Sequence, residues 1–167
     1  MNKATEKKQH MRIATIIYHL AVSCWLGGSA LFTFVLTPIL FKSYPRDTAG
    51  SIVGTLFPGY FQWGLACGAV AFICLLLGKN HRKIASGLIL TIMLTVTATQ
   101  AFIIEPRAAE LKKQIPSFET TPPDHPLRVQ FRKLHGISAV ANLMLIGAGV
   151  VLVIFSSPPA QRKEDAN

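Results

Sequence analysis

Residues 84–104 read IASGLILTIMLTVTATQAFII, and this stretch contains no Asp, Glu, Lys or Arg. At 1.5 Å per residue, a helix of this length crosses a hydrocarbon core of roughly 30 Å. Three more runs without Asp, Glu, Lys or Arg occupy residues 13–41, 55–77 and 137–155. Backbone groups in lipid must be paired within the protein, and these runs lack the alternation of barrel strands. The sequence therefore predicts an all-α fold, a polytopic membrane four-helix bundle, as a single membrane domain.

Composition supports the membrane class. The chain has 167 residues, of which 50% are hydrophobic and 15% charged, and its mean hydropathy is +0.39. Soluble domains carry about 25% charged residues. Basic residues precede the first apolar run, as in a signal peptide, but this run is too long for a signal sequence and lacks a small-residue cleavage site. We expect it to be retained as a span.

The net charge of +9 does not indicate nucleic-acid binding, because the basic residues are divided among loops and termini. Basic side chains beside spans are typical of contact with lipid headgroups, so the expected partner is the bilayer. Cys24, Cys67 and Cys74 lie inside apolar runs, which favours neither a disulfide framework nor a zinc site. The polar residues 161–167 are expected to form a disordered tail.

An even number of spans places both termini on one side of the membrane. That side carries nine basic residues and the other carries eight, so the positive-inside rule is nearly balanced. The compact basic loop at residues 78–83 and the basic N-terminal segment favour cytoplasmic termini. The expected location is the cell membrane, with multiple passes.

Three polar motifs lie together on the face opposite the termini: SYPRD at residues 43–47, EPR at 105–107 and RKLH at 132–135. Two of them border the polar loop at residues 105–133. The candidate polar site comprises Arg46, Asp47, Glu105, Arg107 and His135. Charged and imidazole groups at a membrane boundary suit a small anion, a metal or a lipid headgroup. The alternative is a brace of salt bridges and caps that holds the loops.

His19 is the candidate ligand for haem or a metal, since imidazole is a common ligand of both. Span 4 runs antiparallel to span 1, which separates His19 from His135 by about 20 Å in depth and argues against a paired ligation. The alternative is a histidine that only packs in the bundle. No cofactor is predicted beyond this possibility.

Four glycines, Gly27, Gly28, Gly64 and Gly68, are candidate helix-packing positions. Gly64 and Gly68 form a GxxxG pair, which allows close approach of helices in lipid. They predict either tight packing within the bundle or an interface with a second copy or a membrane partner.

Four motifs carry a resemblance to a known family: SYPRDTAG at residues 43–50, LFPGYF at 56–61, EPR at 105–107 and FRKLHGIS at 131–138, followed by Asn142. In this order they resemble the transmembrane protein 205-like family, whose four-span domain has no assigned function. The resemblance implies a four-helix membrane protein. A weaker likeness connects residues 19–28 with copper-resistance-D-like and haem-synthesis membrane proteins, and it motivates the haem alternative.

Three functions are consistent with these observations. The leading hypothesis is a non-enzymatic membrane protein that binds or moves a small ligand or metal compound at an outer-face polar site. The alternatives are a haem- or metal-binding redox protein using His19, and a structural partner subunit. The chain has no Walker, Rossmann, HExxH or nucleophile-elbow motif.

Overall fold

The structure, a computed structural model, describes residues 3–78, 80 and 82–156. Every regular element in these ranges is helical, and four helices are long and apolar enough to cross a membrane. The predicted all-α membrane four-helix bundle is confirmed. The tail predicted at residues 161–167 and part of the 78–83 loop lie outside the described residues.

Four spans account for nearly all of this helical structure. Span 1 (Lys3–Ser43) combines α1 (Lys3–Ala30), a π-helical segment (Leu31–Leu36) and α2 (Thr37–Ser43), and span 2 is α3 (Arg46–Leu77). Span 3 (Lys83–Lys113) combines α4 (Lys83–Thr99), a second π-helical segment (Gln100–Ile104) and α5 (Glu105–Lys113), and span 4 is α6 (Pro126–Ser156).

The spans are longer than the bilayer requires. The segments apolar enough to cross a membrane contain between 30 residues (Pro126–Phe155) and 41 residues (Lys3–Ser43), with mean hydropathy from 1.7 to 2.4 in their most apolar windows. At 1.5 Å per residue, even the shortest is about 45 Å long, against a hydrocarbon core of roughly 30 Å. Their ends therefore extend into the headgroup region. The turn at residues 44–45 and the non-helical segment 114–125 lie at the same end of the bundle, opposite the described N-terminal end. We call the end that carries these two segments the loop end.

Both π-helical segments end two residues before a proline, at Pro38 in span 1 and Pro106 in span 3. A proline ring inside an α-helix clashes with the carbonyl four residues earlier and provides no N–H. Each segment instead closes with an i→i−5 bond, from Thr37 N–H to Phe32 and from Glu105 N–H to Gln100. The wider turns accommodate the prolines without ending either span.

The core is centred on Trp25 of span 1, which is 3% exposed and packs directly on span 2. A Cβ atom added to Gly64 would lie 2.9 Å from Trp25 Nε1, and one added to Gly68 would lie 2.6 Å from Trp25 Cζ3. The GxxxG pair therefore packs inside the bundle. The rest of the core cluster consists of Tyr18, Ala21, Val22, Cys67, Ala71, Cys74, Leu75, Leu90, Met93, Leu145 and Leu152.

A second tryptophan contact lies beside the first. Trp63 Nε1 lies 2.9 Å from the position of a Cβ atom on Gly28, and its N–H points to the carbonyl of Cys24 at 3.4 Å. Gly27, one residue earlier, has nothing within 4 Å of the corresponding position. Of these two neighbouring glycines, only Gly28 makes room for a side chain of another span.

Large apolar side chains cover the outside of the bundle, among them Leu31, Phe34, Ile73, Leu88, Phe102, Met144 and Ile154. In water such a surface would drive aggregation, whereas in a bilayer it faces acyl chains. The protein is thus a multi-pass membrane protein whose partner on this surface is lipid.

We expect Gly68→Ala to lower the unfolding temperature in detergent, because the added methyl group overlaps the Trp25 ring and Leu94. Overpacking of this kind costs about 1–3 kcal/mol. Gly27→Ala is the matched control, since its methyl group enters open space and alanine favours the helix. Equal unfolding temperatures for the two variants would contradict the proposed packing.

Candidate functional site

A cavity of about 400 Å³ lies near the loop end, between spans 2, 3 and 4. We call it the mouth cavity. Its lining residues are Gly50, Ser51, Gly54, Thr55, Phe57, Phe61, Ile104, Glu105, Ala108, Ala109, Lys112, Lys113, Phe131, Leu134, His135 and Ser138. Of the five predicted polar-site residues, the structure places Glu105 and His135 on its walls.

Two lysines of the mouth cavity were not in the predicted polar site: Lys113, which is exposed and lies 3.9 Å from Glu110, and Lys112, which is half-buried. The Lys112 ammonium lies over span 2, 3.5 Å from the position of a Cβ atom on Gly54, so glycine makes room for it. Lys112 lies beyond the apolar run at residues 84–104. Within the described structure, no side chain is hydrogen-bonded to this ammonium.

Aromatic rings form the apolar part of the mouth cavity. The rings of Phe131 and His135 are nearly parallel, with centroids 6.0 Å apart, and Phe118 packs edge-on against Phe131 at 4.9 Å. From span 2, Phe57 and Phe61 stack on each other at 5.7 Å. The cavity therefore combines two lysine cations, a carboxylate and an imidazole with aromatic walls.

A second cavity of about 180 Å³ lies deeper in the bundle, and we call it the inner chamber. It shares Phe57, Phe61, His135 and Ser138 with the mouth cavity, so the two are adjacent. Its remaining lining residues are Phe32, Thr33, Thr37, Tyr60, Gln100, Ala139, Asn142 and Leu143. Residues from both π-helical segments reach this chamber.

Hydrogen bonds connect all four spans around the inner chamber. The hydroxyl of Tyr60 donates to Asn142 Oδ1, and Asn142 Nδ2 donates to Thr33 Oγ1 at 2.6 Å. On the other side, Ser138 Oγ donates to Gln100 Oε1 at 2.7 Å. Gln100 is 1% exposed, and its Nε2 has no hydrogen-bond partner in the described structure.

Asp47 holds the loop between spans 3 and 4. Its carboxylate accepts hydrogen bonds from Ser117 Oγ at 2.6 Å and from the backbone N–H of Phe118 at 2.7 Å. Nearby, the backbone N–H of Arg46 donates to Glu119 at 3.0 Å. Asp47 is thus a loop anchor.

The structure divides the predicted polar site. Arg46 lines a separate crevice with residues 118–123 and Arg128, and Arg107 on α5 lines neither the mouth cavity nor the inner chamber. The loop anchor and the mouth cavity lie at the same end of the bundle. They are built from different residues.

His19 is remote from both cavities. It is partly buried beside Tyr18, with the two rings edge-on at 5.4 Å. His19 precedes Thr33 by 14 residues, which is about 21 Å along span 1. Thr33 contacts Asn142 of span 4, and His135 lies about two helical turns beyond Asn142 toward the loop end. His19 and His135 are therefore far apart along the bundle. Among the described residues, no three His, Cys, Asp or Glu side chains are placed to hold a metal ion.

Two signals could have identified the residues that were missed. Gln100 is the single amide in the third apolar run, and Pro106 follows it closely enough to disturb the helix there. Tyr60 and Asn142 belong to quoted motifs, although their contact depends on helix positions that the sequence does not show. Lys112 had no distinguishing signal, because it lies among other charged residues at the end of a helix.

Comparison with known proteins agrees with this architecture but assigns no activity. Residues 20–117 match the model of a family described as a domain of unknown function, DUF4149, and the chain belongs to that family. The chain is 33% identical over 136 residues to an "Uncharacterized protein" from Aquifex aeolicus (strain VF5), covering 80% of this chain and 90% of the relative. No solved structure matches.

We expect Asp47→Ala to release the 114–125 loop, since its carboxylate binds both Ser117 and Phe118. Hydrogen exchange at the Phe118 amide should become about 10-fold faster, the effect of losing roughly 1.4 kcal/mol of local stability.

Asp124→Ala is the control for this experiment. Asp124 is exposed in the same loop and forms no hydrogen bond or ion pair in the described structure. If both variants leave Phe118 exchange at the wild-type rate, Asp47 is not the anchor of this loop.

Proposed function

We propose that this protein is a non-enzymatic membrane protein that binds a small amphipathic ligand with an anionic head in the mouth cavity and helps to move it. The observation that carries this proposal is the Lys112 ammonium, which lines the cavity without a hydrogen-bonded anion. A half-buried cation gains from an anionic partner because fewer water molecules solvate it.

Glu105 and His135, which also line the cavity, extend the recognition beyond the lysine charge. Glu105 accepts hydrogen bonds from a hydroxyl or amino group, and the His135 ring both donates and accepts them. Such groups belong to headgroups that carry a phosphate or carboxylate together with hydroxyl or amino substituents. An anionic glycerophospholipid headgroup has this chemistry.

The aromatic wall favours an amphipathic ligand over a free inorganic anion. Phe57, Phe61 and Phe131 line the same cavity as Lys112, and contact with an apolar tail releases water from their surfaces. The cavity lies where spans leave the apolar runs, which is the depth of headgroups. A ligand with its head at Lys112 and its tail toward Phe61 fits this gradient of polarity.

The proposal also covers the orientation of the protein in the membrane and its relationship to a named family. With both termini in the cytoplasm, as the basic 78–83 loop favours, the mouth cavity opens on the outer face.

We also propose kinship with the transmembrane protein 205-like family. In support, residues of its LFPxYF, EPR and histidine motifs, such as Phe57, Glu105 and His135, line the mouth cavity.

The experiment measures thermal unfolding in an uncharged detergent with dioctanoyl phosphatidylglycerol as the probe. Near 100 times its dissociation constant, the lipid should raise the wild-type unfolding temperature by about 5–11 °C. Lys112→Gln should lose this shift. Dioctanoyl phosphatidylcholine and inorganic phosphate should produce little change, because the first has no net negative charge and the second has no apolar tail.

Lys133→Gln is the matched control, because it removes an exposed cation at the same end of the bundle that does not line the mouth cavity. It should retain the shift. No stabilisation of the wild type, or equal stabilisation of Lys112→Gln, would refute binding of this headgroup at Lys112. A shift with phosphate alone would identify a small-anion site without an amphipathic ligand.

A further inference from the structure

The inner chamber contains a polar group that the proposed function does not use. Gln100 Nε2 is buried, and it has no partner among the described residues. The Oε1 atom of the same amide accepts a hydrogen bond from Ser138. A buried donor without an acceptor costs about 1–3 kcal/mol, so an acceptor oxygen supplied by a ligand would stabilise this N–H group.

The neighbouring side chains do not provide that partner. Tyr60, Asn142 and Thr33 form their own chain of hydrogen bonds, and the Thr37 hydroxyl donates to the carbonyl of Phe32 at 2.9 Å. What the chamber lacks is therefore an acceptor oxygen opposite Gln100. Among the described residues that line the chamber there is no Lys, Arg, Asp or Glu. An uncharged ligand suits this environment better than an ion.

Aromatic side chains determine the shape of the chamber. The rings of Phe32 and Tyr60 stack with centroids 4.6 Å apart and an angle of 25°, and Phe57 and Phe61 add a second, nearly parallel pair. Flat rings bind well on such walls through offset stacking and edge contacts. A volume of about 180 Å³ accommodates one ring headgroup.

The chamber is accessible from the bilayer. Three of its lining residues, His135, Ala139 and Leu143, recur every fourth residue on span 4 and are exposed. Across the opening lie Phe32 and Thr33 of span 1. Exposed side chains at this depth face lipid, so a ligand dissolved in the bilayer reaches the chamber between spans 1 and 4 without crossing the mouth cavity.

The π-helical segments provide an independent indication of a site. Gln100 is the first residue of one segment, and Phe32 and Thr33 lie in the other. Single π-helical turns in α-helices occur frequently at functional sites. Here both segments contribute side chains to the same chamber, at the height where the unpaired amide lies.

We propose that the inner chamber binds the ring of an uncharged, lipid-soluble carbonyl compound of the quinone class, which enters from the bilayer. Gln100 Nε2 donates a hydrogen bond to one ring carbonyl oxygen, and the aromatic walls hold the ring. The proposal concerns binding alone, and it goes beyond the mouth-cavity function because Lys112 does not line this chamber.

The test uses the protein in phosphatidylcholine nanodiscs with decylubiquinone as the probe and thermal unfolding as the readout. Decylubiquinone should raise the wild-type unfolding temperature, whereas decylbenzene, which has the same tail but no carbonyl, should not. Gln100→Met keeps the side-chain length but removes the donor, and should weaken binding about 10-fold.

Ala139→Phe provides a second variant that leaves the hydrogen bonds around Gln100 intact and blocks the lipid-facing opening, so it should also lose the shift. Val140→Phe is its matched control, because Val140 is exposed to lipid but does not line the chamber. Lys112→Gln should keep the decylubiquinone shift, which separates this proposal from the mouth-cavity one.

Two results would overturn the proposal. If decylubiquinone does not stabilise the wild type, the inner chamber does not bind a quinone ring. If decylbenzene stabilises the protein equally, or if Gln100→Met and Ala139→Phe both respond as the wild type does, the effect comes from general partitioning into the bilayer.

Discussion

The contact between Trp25 and the glycines of span 2 determines how spans 1 and 2 are aligned. In lipid, apolar side chains gain little by leaving the solvent, so helices associate through close van der Waals packing. Gly64 and Gly68 allow the indole to lie against the backbone of span 2. With this alignment, Phe32 stacks on Tyr60 one turn beyond Gly64, and Tyr60 meets Asn142. The polar network of the inner chamber depends on an apolar contact about two turns away.

Two prolines then modify helices that the bilayer would otherwise keep regular. Pro38 and Pro106 each follow a π-helical segment, and both segments lie at the height of the inner chamber. The inner chamber, to which both π-helical segments contribute, lies with its polar side chains in the half of the bundle nearest the loop end. The opposite half is filled by the apolar core around Val22, Ala71 and Leu90. This unequal distribution makes one end of the protein suitable for ligands and the other for stability.

The sequence was sufficient for the fold and for part of the candidate site. Long uncharged runs imply helices in lipid, and counting spans places Glu105 and His135 at one end, where the structure brings them to one cavity. Asp47 was grouped with them because charge alone does not distinguish a ligand group from a loop anchor. Its role depends on Ser117, 70 residues away. Lys112 and Gln100 were missed for a similar reason, since their environment depends on helix rotation and on π-helical turns that hydropathy does not reveal.

Native mass spectrometry of protein extracted in a mild detergent tests most directly whether the loop end is a ligand site. We predict that the wild type retains a bound anionic lipid, visible as a defined increase over the mass of the chain. Lys112→Gln should release this lipid at lower collision energy. A wild-type spectrum that shows only the bare chain, or identical lipid retention in both proteins, would contradict the account and leave the charged residues of the loop end with a structural role.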